Sequence, residues 1–241
     1  MSLIDEILSA TAHRPYNMPG TKWTYYQEWN NALFLHWKVP LEALRKLVPE
    51  QLMIDTFEDG AYVSIVAFTM QKIRPRNLPA VKVISDFEEV NVRTYINNDG
   101  KKGVYFLNIE AAKKLSAYIA KALSGLPYEK SQMKRTGSQF KSVNKRKGFH
   151  LSANFDIQEI HSTKTALDKW LTERYCLYAD INNDIYRYDI HHKEWELNKV
   201  ILEKLDLHYH FGNLEFGNRA PDLIHYSPGV KVVAWNKTKI S

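Results

Sequence analysis

Alternating hydrophobic and polar positions recur along this chain and predict a protein built mainly of β-strands. Side chains of a strand point to opposite faces in turn, so a period of two residues marks a strand with two different faces. The period is found in residues 31–39, 62–70, 88–95, 103–109, 137–143, 149–155, 185–190 and 230–235. We therefore expect a β-rich fold with a few short helices.

One of these stretches, residues 88–95, has a chemically unusual face. The alternation places Glu89, Asn91, Arg93 and Tyr95 on one side of the strand, and valines and a threonine on the other. An ordinary half-exposed strand also has one polar side. However, such a strand rarely presents a carboxylate, an amide, a guanidinium and a phenol in succession, so these four residues are candidates for a site.

The next stretch predicts a hairpin with that strand. Residues 97–102 read NNDGKK, and an Asp-Gly pair between two alternating runs is a strong turn signal. In the second strand Tyr105 and Leu107 share one face, and Val104, Phe106 and Asn108 the other. Since neither face is plainly solvent-facing, we expect a closed sheet or one covered by helices.

A few segments have the 3.6-residue period of helices instead. We expect short helices within residues 1–12 and 164–172 and after Pro40, and a longer helix over 110–123, where apolar residues form one face and lysines the other. Residues 197–204 fit either a short helix or an irregular segment. No repeat or linker divides the chain, so we expect a single domain over residues 1–241.

Composition and charge narrow the function classes. The apolar share of 44% is typical of a folded protein, and the single cysteine, Cys176, excludes an internal disulfide. Cys176 lies in an apolar-aromatic run and is interpreted as a small buried residue. No segment resembles a secretory signal or a membrane span, so we expect a cytoplasmic protein without a membrane partner.

The net charge of +6 invites a nucleic-acid interpretation. The excess is concentrated between Lys130 and Lys147, in a predicted hairpin whose tip carries the lysines. Lysines at such a tip usually serve solvation and protect a sheet edge from pairing. No recognition helix or RNA-binding motif accompanies them, so we expect no nucleic-acid partner. An exposed edge strand would allow a homodimer.

Short sequence words spread over nearly the whole chain carry a family resemblance. They are FLHW and VP within 34–40, NVRTY at 91–95, GVYF at 103–106, LPY at 126–128, LTERY at 171–175 and IHH at 190–192 before Trp195. Together they resemble the YqjF-like family of uncharacterised proteins, which is similar to the acetoacetate-decarboxylase-like superfamily. The resemblance implies an α+β fold with a curved, mostly antiparallel β-barrel-like sheet, flanking helices and a central cavity.

The same resemblance raises and weakens one catalytic hypothesis. Acetoacetate decarboxylases use a lysine of a Gly-aromatic-Pro-Lys-Lys sequence to form a Schiff base with a β-keto acid. Here residues 125–130 read GLPYEK, so Tyr128 and Glu129 stand where the lysines would be and only Lys130 follows. Glu129 would favour a charged ammonium, and the offset turns Lys130 to the other strand face. Glu89 does match the strand carboxylate of the superfamily and is a candidate acid or base.

The remaining candidates are ligand-binding residues. Arg93 offers a planar fork for a carboxylate, and a direct contact with Glu89 is not expected, because four strand residues span about 13 Å. Arg174 fits either a structural salt bridge or a pocket contact. The other candidates for a cavity wall are Asn91, His36, Tyr95, Tyr105 and Tyr128, although tyrosines and histidines with satisfied hydrogen bonds are common in protein cores.

Other chemistries receive little support. His191 and His192 are adjacent and should face opposite ways on a strand, whereas His208 and His210 share a face but lack a third ligand, so we expect no metal site. No phosphate loop, dinucleotide fingerprint or nucleophile elbow is present, and we expect no cofactor.

Two functions remain open. The first is a binding protein or a lyase-like enzyme whose cavity takes a small organic acid or another apolar-anionic ligand. The second is a non-catalytic interaction protein with a filled interior and an internal polar network. A carboxylate-bearing cavity with a raised pKa at Glu89 would favour the first.

Overall fold

The computed structural model describes residues 1–112 and 128–241. Its helices are short: α1 (Leu3–Ser9), α2 (Leu41–Arg45), α3 (Lys82–Ser85) and α4 (Ala166–Thr172). Its strands are β1 (Tyr25–Val39), β2 (Ala61–Pro75), β3 (Phe87–Asn98), β4 (Lys101–Ala111), β5 (Tyr128–Lys130), β6 (Gln132–Thr136), β7 (Gln139–Asn144), β8 (Phe149–Ile160), β9 (Cys176–Ile181), β10 (Asp184–His192), β11 (Asn198–Phe211), β12 (Leu214–Phe216), β13 (Leu223–Ala234) and β14 (Thr238–Lys239). The expected α+β class, dominated by strands, is confirmed.

The strand pairings form one curved, mostly antiparallel sheet with a ring-like closure. The order β10-β9-β4-β3-β2-β1-β13 returns to β10 through an additional β10–β13 pairing. Strand β4 pairs in parallel with β5 and β9. From β13 the sheet continues through β11, β8 and β7 to β6.

Both faces of β1, β2 and β3 are largely buried. One face packs against β7, β8 and β11 in a core that includes Leu35, Ile65, Val92 and Leu151. The opposite face turns into the ring, where Phe34, Val66, Phe68 and Trp195 belong to a second cluster. Polar side chains on that second face are therefore held away from bulk water.

The β3–β4 hairpin is confirmed, including its turn. Asp99 and Gly100 have φ values of 51° and 73°, the left-handed conformation that a two-residue hairpin turn needs and that glycine adopts without strain. Farther along β4, Gly103 lies against β9 so closely that a Cβ atom would sit 2.5 Å from the Cys176 carbonyl oxygen. Only glycine allows this approach, by which β4 joins β9 and contributes to the ring.

A β-bulge corrects one expectation about β4. Arg93 pairs with Phe106, but Val92 pairs with Asn108, so Leu107 is an extra residue in this strand. Because the bulge shifts the alternation, Phe106 faces the ring interior whereas Asn108 faces the other core. The strict two-residue period had placed Phe106 and Asn108 on the same face.

The structure also differs from the sequence prediction at residues 197–204 and at the start of the helix predicted over 110–123. Residues 197–204 are neither helical nor irregular: they begin β11, in which Val200, Leu202, Leu205 and Leu207 contact the first core. A bulge after Leu202 interrupts their alternation and hides the strand period. Of the predicted helix over 110–123, the first two residues end β4, and residues 113–127 lie outside the described residues.

Several smaller observations complete the fold. The basic hairpin of β7 and β8 is confirmed. Cys176 is buried and unpaired, and burial raises the pKa of its thiol.

Among residues 1–112 and 128–241, none of the helices is both long and apolar enough to cross a membrane. The same residues contain no group of three metal-ligating side chains.

Candidate functional site

A cavity of about 360 Å³ lies on the ring-facing side of β3. Its wall is mostly apolar and aromatic, and the rings come from strands distant in sequence and from the segment after β10. The wall includes Trp29, Phe34, Phe68, Phe106, Tyr188 and Trp195. Into this apolar space β3 directs Glu89, Asn91 and Arg93, three of the four residues that its alternation placed on one face.

Glu89 is a buried carboxyl group, and none of the described residues forms a salt bridge with it. The Tyr128 hydroxyl donates to its Oε2 atom at 3.1 Å, and the Asn91 amide donates to Oε1 at 3.4 Å. Burial raises the pKa of Glu89 to about 7, against the effect of these two hydrogen bonds. Near neutral pH this group therefore exists in both protonation states, as an acid or base in a cavity requires.

Arg93 is a buried cation whose charge no neighbouring carboxylate balances among the described residues. Its guanidinium lies 5.5 Å from the centre of the Phe34 ring, and the nearby Tyr95 hydroxyl favours its charged form. Its Nε atom has no hydrogen-bond partner. Burial lowers the pKa of Arg93, although a guanidinium stays protonated in proteins.

The second arginine of the cavity, Arg174, is held by the protein. Its Nη1 atom lies 2.6 Å from the carboxylate of Asp55, and its Nε atom donates to the Trp170 carbonyl at 2.7 Å. Only Nη2 lacks a partner. Arg174 therefore forms a salt bridge and also lines the cavity, two roles that the sequence presented as alternatives.

His192 contributes a neutral imidazole to the wall. Its Nδ1 atom lies 2.7 Å from the Lys193 carbonyl oxygen, which accepts a hydrogen bond from it, and the opposite nitrogen, Nε2, has no partner. Burial lowers the pKa of His192 to about 3, so the ring is uncharged at neutral pH. The neighbouring His191 faces away and contacts the Ile7 carbonyl in α1, as expected for adjacent strand residues.

Behind Arg93 runs a chain of buried hydrogen bonds that ends on a carboxylate. Asp168 Oδ1 accepts from His225 Nε2 at 2.8 Å, and His225 Nδ1 lies 3.1 Å from His36 Nε2. His36 Nδ1 is 2.6 Å from Ser64 Oγ, which is 2.5 Å from the Tyr95 hydroxyl.

The carboxylate sets the direction of this chain. Burial opposes ionisation of Asp168, but hydrogen bonds from the Thr165 backbone N–H and from His225 outweigh it and lower the pKa. Burial also lowers the pKa of both histidines, so each is neutral and donates from one nitrogen only. Every member then donates towards Asp168, which leaves the Tyr95 oxygen able to accept a hydrogen bond.

The structure thus divides the residues predicted for the site. Glu89, Asn91, Arg93, Tyr128 and Arg174 line the cavity together. His36 and Tyr95 point from the expected faces, but they are enclosed in the buried hydrogen-bond chain and do not line the cavity. That expectation is corrected because Ser64 and His225 occupy the space around the His36 ring.

Two further candidates lie elsewhere. Tyr105 pairs with Thr94 and is half-buried against the first core, on the sheet face opposite to Arg93. Lys130 is exposed at the end of β5, where Glu129 forms an ion pair with Arg146. Because Lys130 lies outside the cavity wall, its side chain is not placed to form a Schiff base with a ligand bound there. Gly125, Leu126 and Pro127 of that segment lie outside the described residues.

Sequence reasoning missed the cavity role of His192 and the roles of Asp168, Ser64 and His225. His192 was considered only as a metal ligand, although the adjacent pair implied that one ring had to face inwards. A signal for Asp168 is the Thr165-to-Asp168 spacing of a helix capping box, which the structure contains. That motif explains a helix start and does not indicate the contact with His225.

Comparison with known proteins agrees with this architecture. Residues 26–231 match the DUF2071 family, described as "Uncharacterized conserved protein (COG2071)". The chain is 34% identical over 240 residues to the uncharacterized protein YqjF of Bacillus subtilis (strain 168), covering 93% of this chain and 96% of that protein.

Solved structures show the fold beyond that family. Acetoacetate decarboxylase from Legionella pneumophila has a TM-score of 0.61 at 12% identity, covering 97% of this chain and 96% of the other. The enduracididine biosynthesis enzyme MppR complexed with pyruvate has a TM-score of 0.58 at 12% identity, covering 92% and 91%. Identities this low show a shared acetoacetate-decarboxylase-like fold and nothing finer.

Proposed function

Because the chain belongs to the DUF2071 family and has an acetoacetate-decarboxylase-like fold, we propose that its cavity binds a small organic acid with Arg93 as the anion clamp. The observation that carries the proposal is the buried guanidinium of Arg93, which no carboxylate balances among the described residues. Burying an uncompensated charge is costly. A ligand carboxylate would supply the missing counter-charge through the planar, two-pronged geometry that guanidinium groups favour.

The cavity wall suits the rest of such a ligand. A volume of about 360 Å³ falls within the usual range for small-molecule sites, and the lining is dominated by aromatic and aliphatic side chains. Trp29, Phe34 and Trp195 would contact an apolar body while Arg93 holds the acid group. This open space also argues against the alternative of an interaction protein with a filled interior.

Relatives in fold give the proposal chemical context. One similar structure contains an enzyme complexed with pyruvate, and others are acetoacetate decarboxylases, so organic acids occupy this fold elsewhere. Schiff-base chemistry is not part of the proposal. Lys130 is exposed, and Lys237, which lines the cavity, is also exposed, with its amine over the Tyr186 ring.

Glu89 is the group placed to exchange a proton with the bound acid. Its raised pKa of about 7 lets it donate or accept a proton near neutral pH, and Tyr128 holds one of its oxygens. Binding of the acid group would require Arg93 but not Glu89, whereas proton transfer would require both residues. Arg93→Ala and Glu89→Gln therefore separate binding from catalysis.

The test is calorimetric titration of the purified protein with 3-phenylpropionate, phenylpyruvate, acetoacetate and octanoate, alongside 3-phenylpropionamide as an uncharged control. We expect one or more acids to bind, the amide not to bind, and Arg93→Ala to weaken the affinity for the acid at least about 30-fold. Lys130→Ala is the matched surface control and should bind like wild type. Failure of every acid to bind, or undiminished binding by Arg93→Ala, would contradict the proposal.

A further inference from the structure

Five buried polar atoms on the cavity-lining residues have no hydrogen-bond partner among the described residues. Three are donors, Trp29 Nε1, Arg93 Nε and Arg174 Nη2, and two are acceptors, Asn91 Oδ1 and His192 Nε2. Buried polar atoms in native proteins are nearly always paired, so such a group of exceptions around one cavity calls for a ligand that pairs them. The pattern of donors and acceptors then restricts the chemistry of that ligand.

The two acceptors are defined by the bonds their neighbouring atoms make. His192 donates from Nδ1 to the Lys193 carbonyl, so the neutral ring presents a lone pair at Nε2. Asn91 donates from its amide nitrogen to Glu89, which leaves Oδ1 as the unpaired atom. Both side chains are almost completely buried, with exposures of 3% for Asn91 and 0% for His192.

A ligand that is only a carboxylate could pair the donors of this set but neither of the acceptors. Carboxylate oxygens accept hydrogen bonds from the arginines but offer no hydrogen to Asn91 or His192. A keto acid has the same deficiency, because its second oxygen also only accepts. An amino acid offers hydrogens, but its ammonium would share the cavity with two guanidinium groups that repel it.

We propose that the ligand is a hydroxy acid, whose carboxylate binds Arg93 and whose hydroxyl donates to Asn91 Oδ1 or His192 Nε2. This inference rests on the proposed function and names the substrate class of the same site. The hydroxyl pairs one acceptor that the carboxylate leaves unsatisfied. The aromatic wall indicates that the hydroxy acid has an apolar body.

The test uses three acids that share one skeleton and differ at a single carbon: 3-phenylpropionate, phenylpyruvate and 3-phenyllactate, with the two enantiomers of phenyllactate titrated separately. Calorimetry at pH 7.5 should show one phenyllactate enantiomer binding about 10-fold more tightly than both other acids, as expected for one added buried hydrogen bond. Equal affinities, or tightest binding of phenylpyruvate, would overturn the hydroxy-acid inference and leave the acid-binding proposal intact. Binding of none of these acids, nor of the acids named above, would overturn both.

Variants locate the hydroxyl. Asn91→Leu and His192→Phe each remove one acceptor, and one of them should reduce the preference for phenyllactate over phenylpropionate to less than about threefold. Circular dichroism and thermal unfolding establish that each variant is folded. If neither folded variant changes the preference, the assignment of the hydroxyl to these acceptors is overturned.

Discussion

Strands β3 and β4 bury a glutamate on each face of the sheet, and the two glutamates have opposite surroundings. Glu110, on the face towards β7 and β11, accepts hydrogen bonds from Asn108, Asn144, Ser142 and Tyr209. None of these side chains has an unpartnered buried atom. On the ring side, Glu89 accepts two hydrogen bonds, and five of the cavity-lining side chains have a buried atom without a partner among the described residues.

The difference distinguishes internal structure from a site. A buried polar network stabilises a fold when every member is satisfied, as around Glu110. The cavity residues bear the cost of desolvation without all of their hydrogen bonds. A protein retains such unpaired polar groups where a ligand supplies the missing partners. Substitutions on the two faces can test this contrast between a satisfied polar cluster and an unsatisfied cavity wall.

The two cavity arginines should respond differently to truncation. Arg174→Ala leaves Asp55 as a buried, unpaired carboxylate, and we expect it to lower the free energy of unfolding by about 3 to 5 kcal/mol. Arg93→Ala removes no ion pair and should cost much less stability. Urea unfolding of both variants at pH 7 measures the contrast, and equal losses would show that Arg93 is also a structural residue.

The satisfied glutamate should be the one that the fold needs. Glu110→Ala leaves the side-chain amides of Asn108 and Asn144 buried without their hydrogen-bond acceptor. We therefore expect the free energy of unfolding to fall by about 3 kcal/mol. Glu110→Gln, which keeps the size and one acceptor oxygen, is the matched control and should lose less. If Glu110→Ala unfolds like wild type, the cluster does not stabilise the protein and the contrast between the two faces fails.

Glu89 should make stability depend on pH. Burial raises its pKa from 4.5 to about 7, so the folded protein holds this proton more tightly than the unfolded chain. The stabilisation is complete below pH 4.5 and declines as the pH rises towards 7, by about 3 kcal/mol in total. Glutamine resembles the protonated acid, so Glu89→Gln should remove this decline.

The measurement is urea unfolding of wild type and Glu89→Gln at pH 5 and pH 8.5. Relative to wild type, Glu89→Gln should gain about 2.5 kcal/mol between the two pH values. Glu129→Gln, a partly exposed glutamate on β5, is the control and should follow wild type. Parallel curves for Glu89→Gln and wild type would mean that the carboxyl group is ionised in the folded protein at both pH values.

The smallest effect is expected at Lys130. This side chain is exposed and outside the cavity wall, so Lys130→Ala should change unfolding free energy by less than about 0.5 kcal/mol and leave acid binding unchanged. Calorimetric titration checks the second part. A loss of acid binding would restore Lys130 as a candidate for the decarboxylase lysine.

Which side chains share a strand face was predictable from the order of residues alone. The alternation that grouped Glu89, Asn91 and Arg93 is local, because each residue of a strand simply turns its side chain opposite to the last. The Asp99-Gly100 turn was equally readable, since it needs a backbone conformation that glycine adopts freely. From these local rules followed the hairpin, the buried opposite face and three of the polar residues that line the cavity.

Which residues those strand faces contact depends on the packing of segments that are distant in the sequence. His192 reaches the cavity from β10, and His225 and Asp168 reach His36 from β13 and α4, because ring closure brings together segments far apart in the chain. The bulge that separates Phe106 from Asn108 depends on how β4 pairs with β3, which no local period reveals. Whether a buried charge is paired is a property of its neighbours, and it is the unpaired Arg93 on which our proposal of a binding site rests.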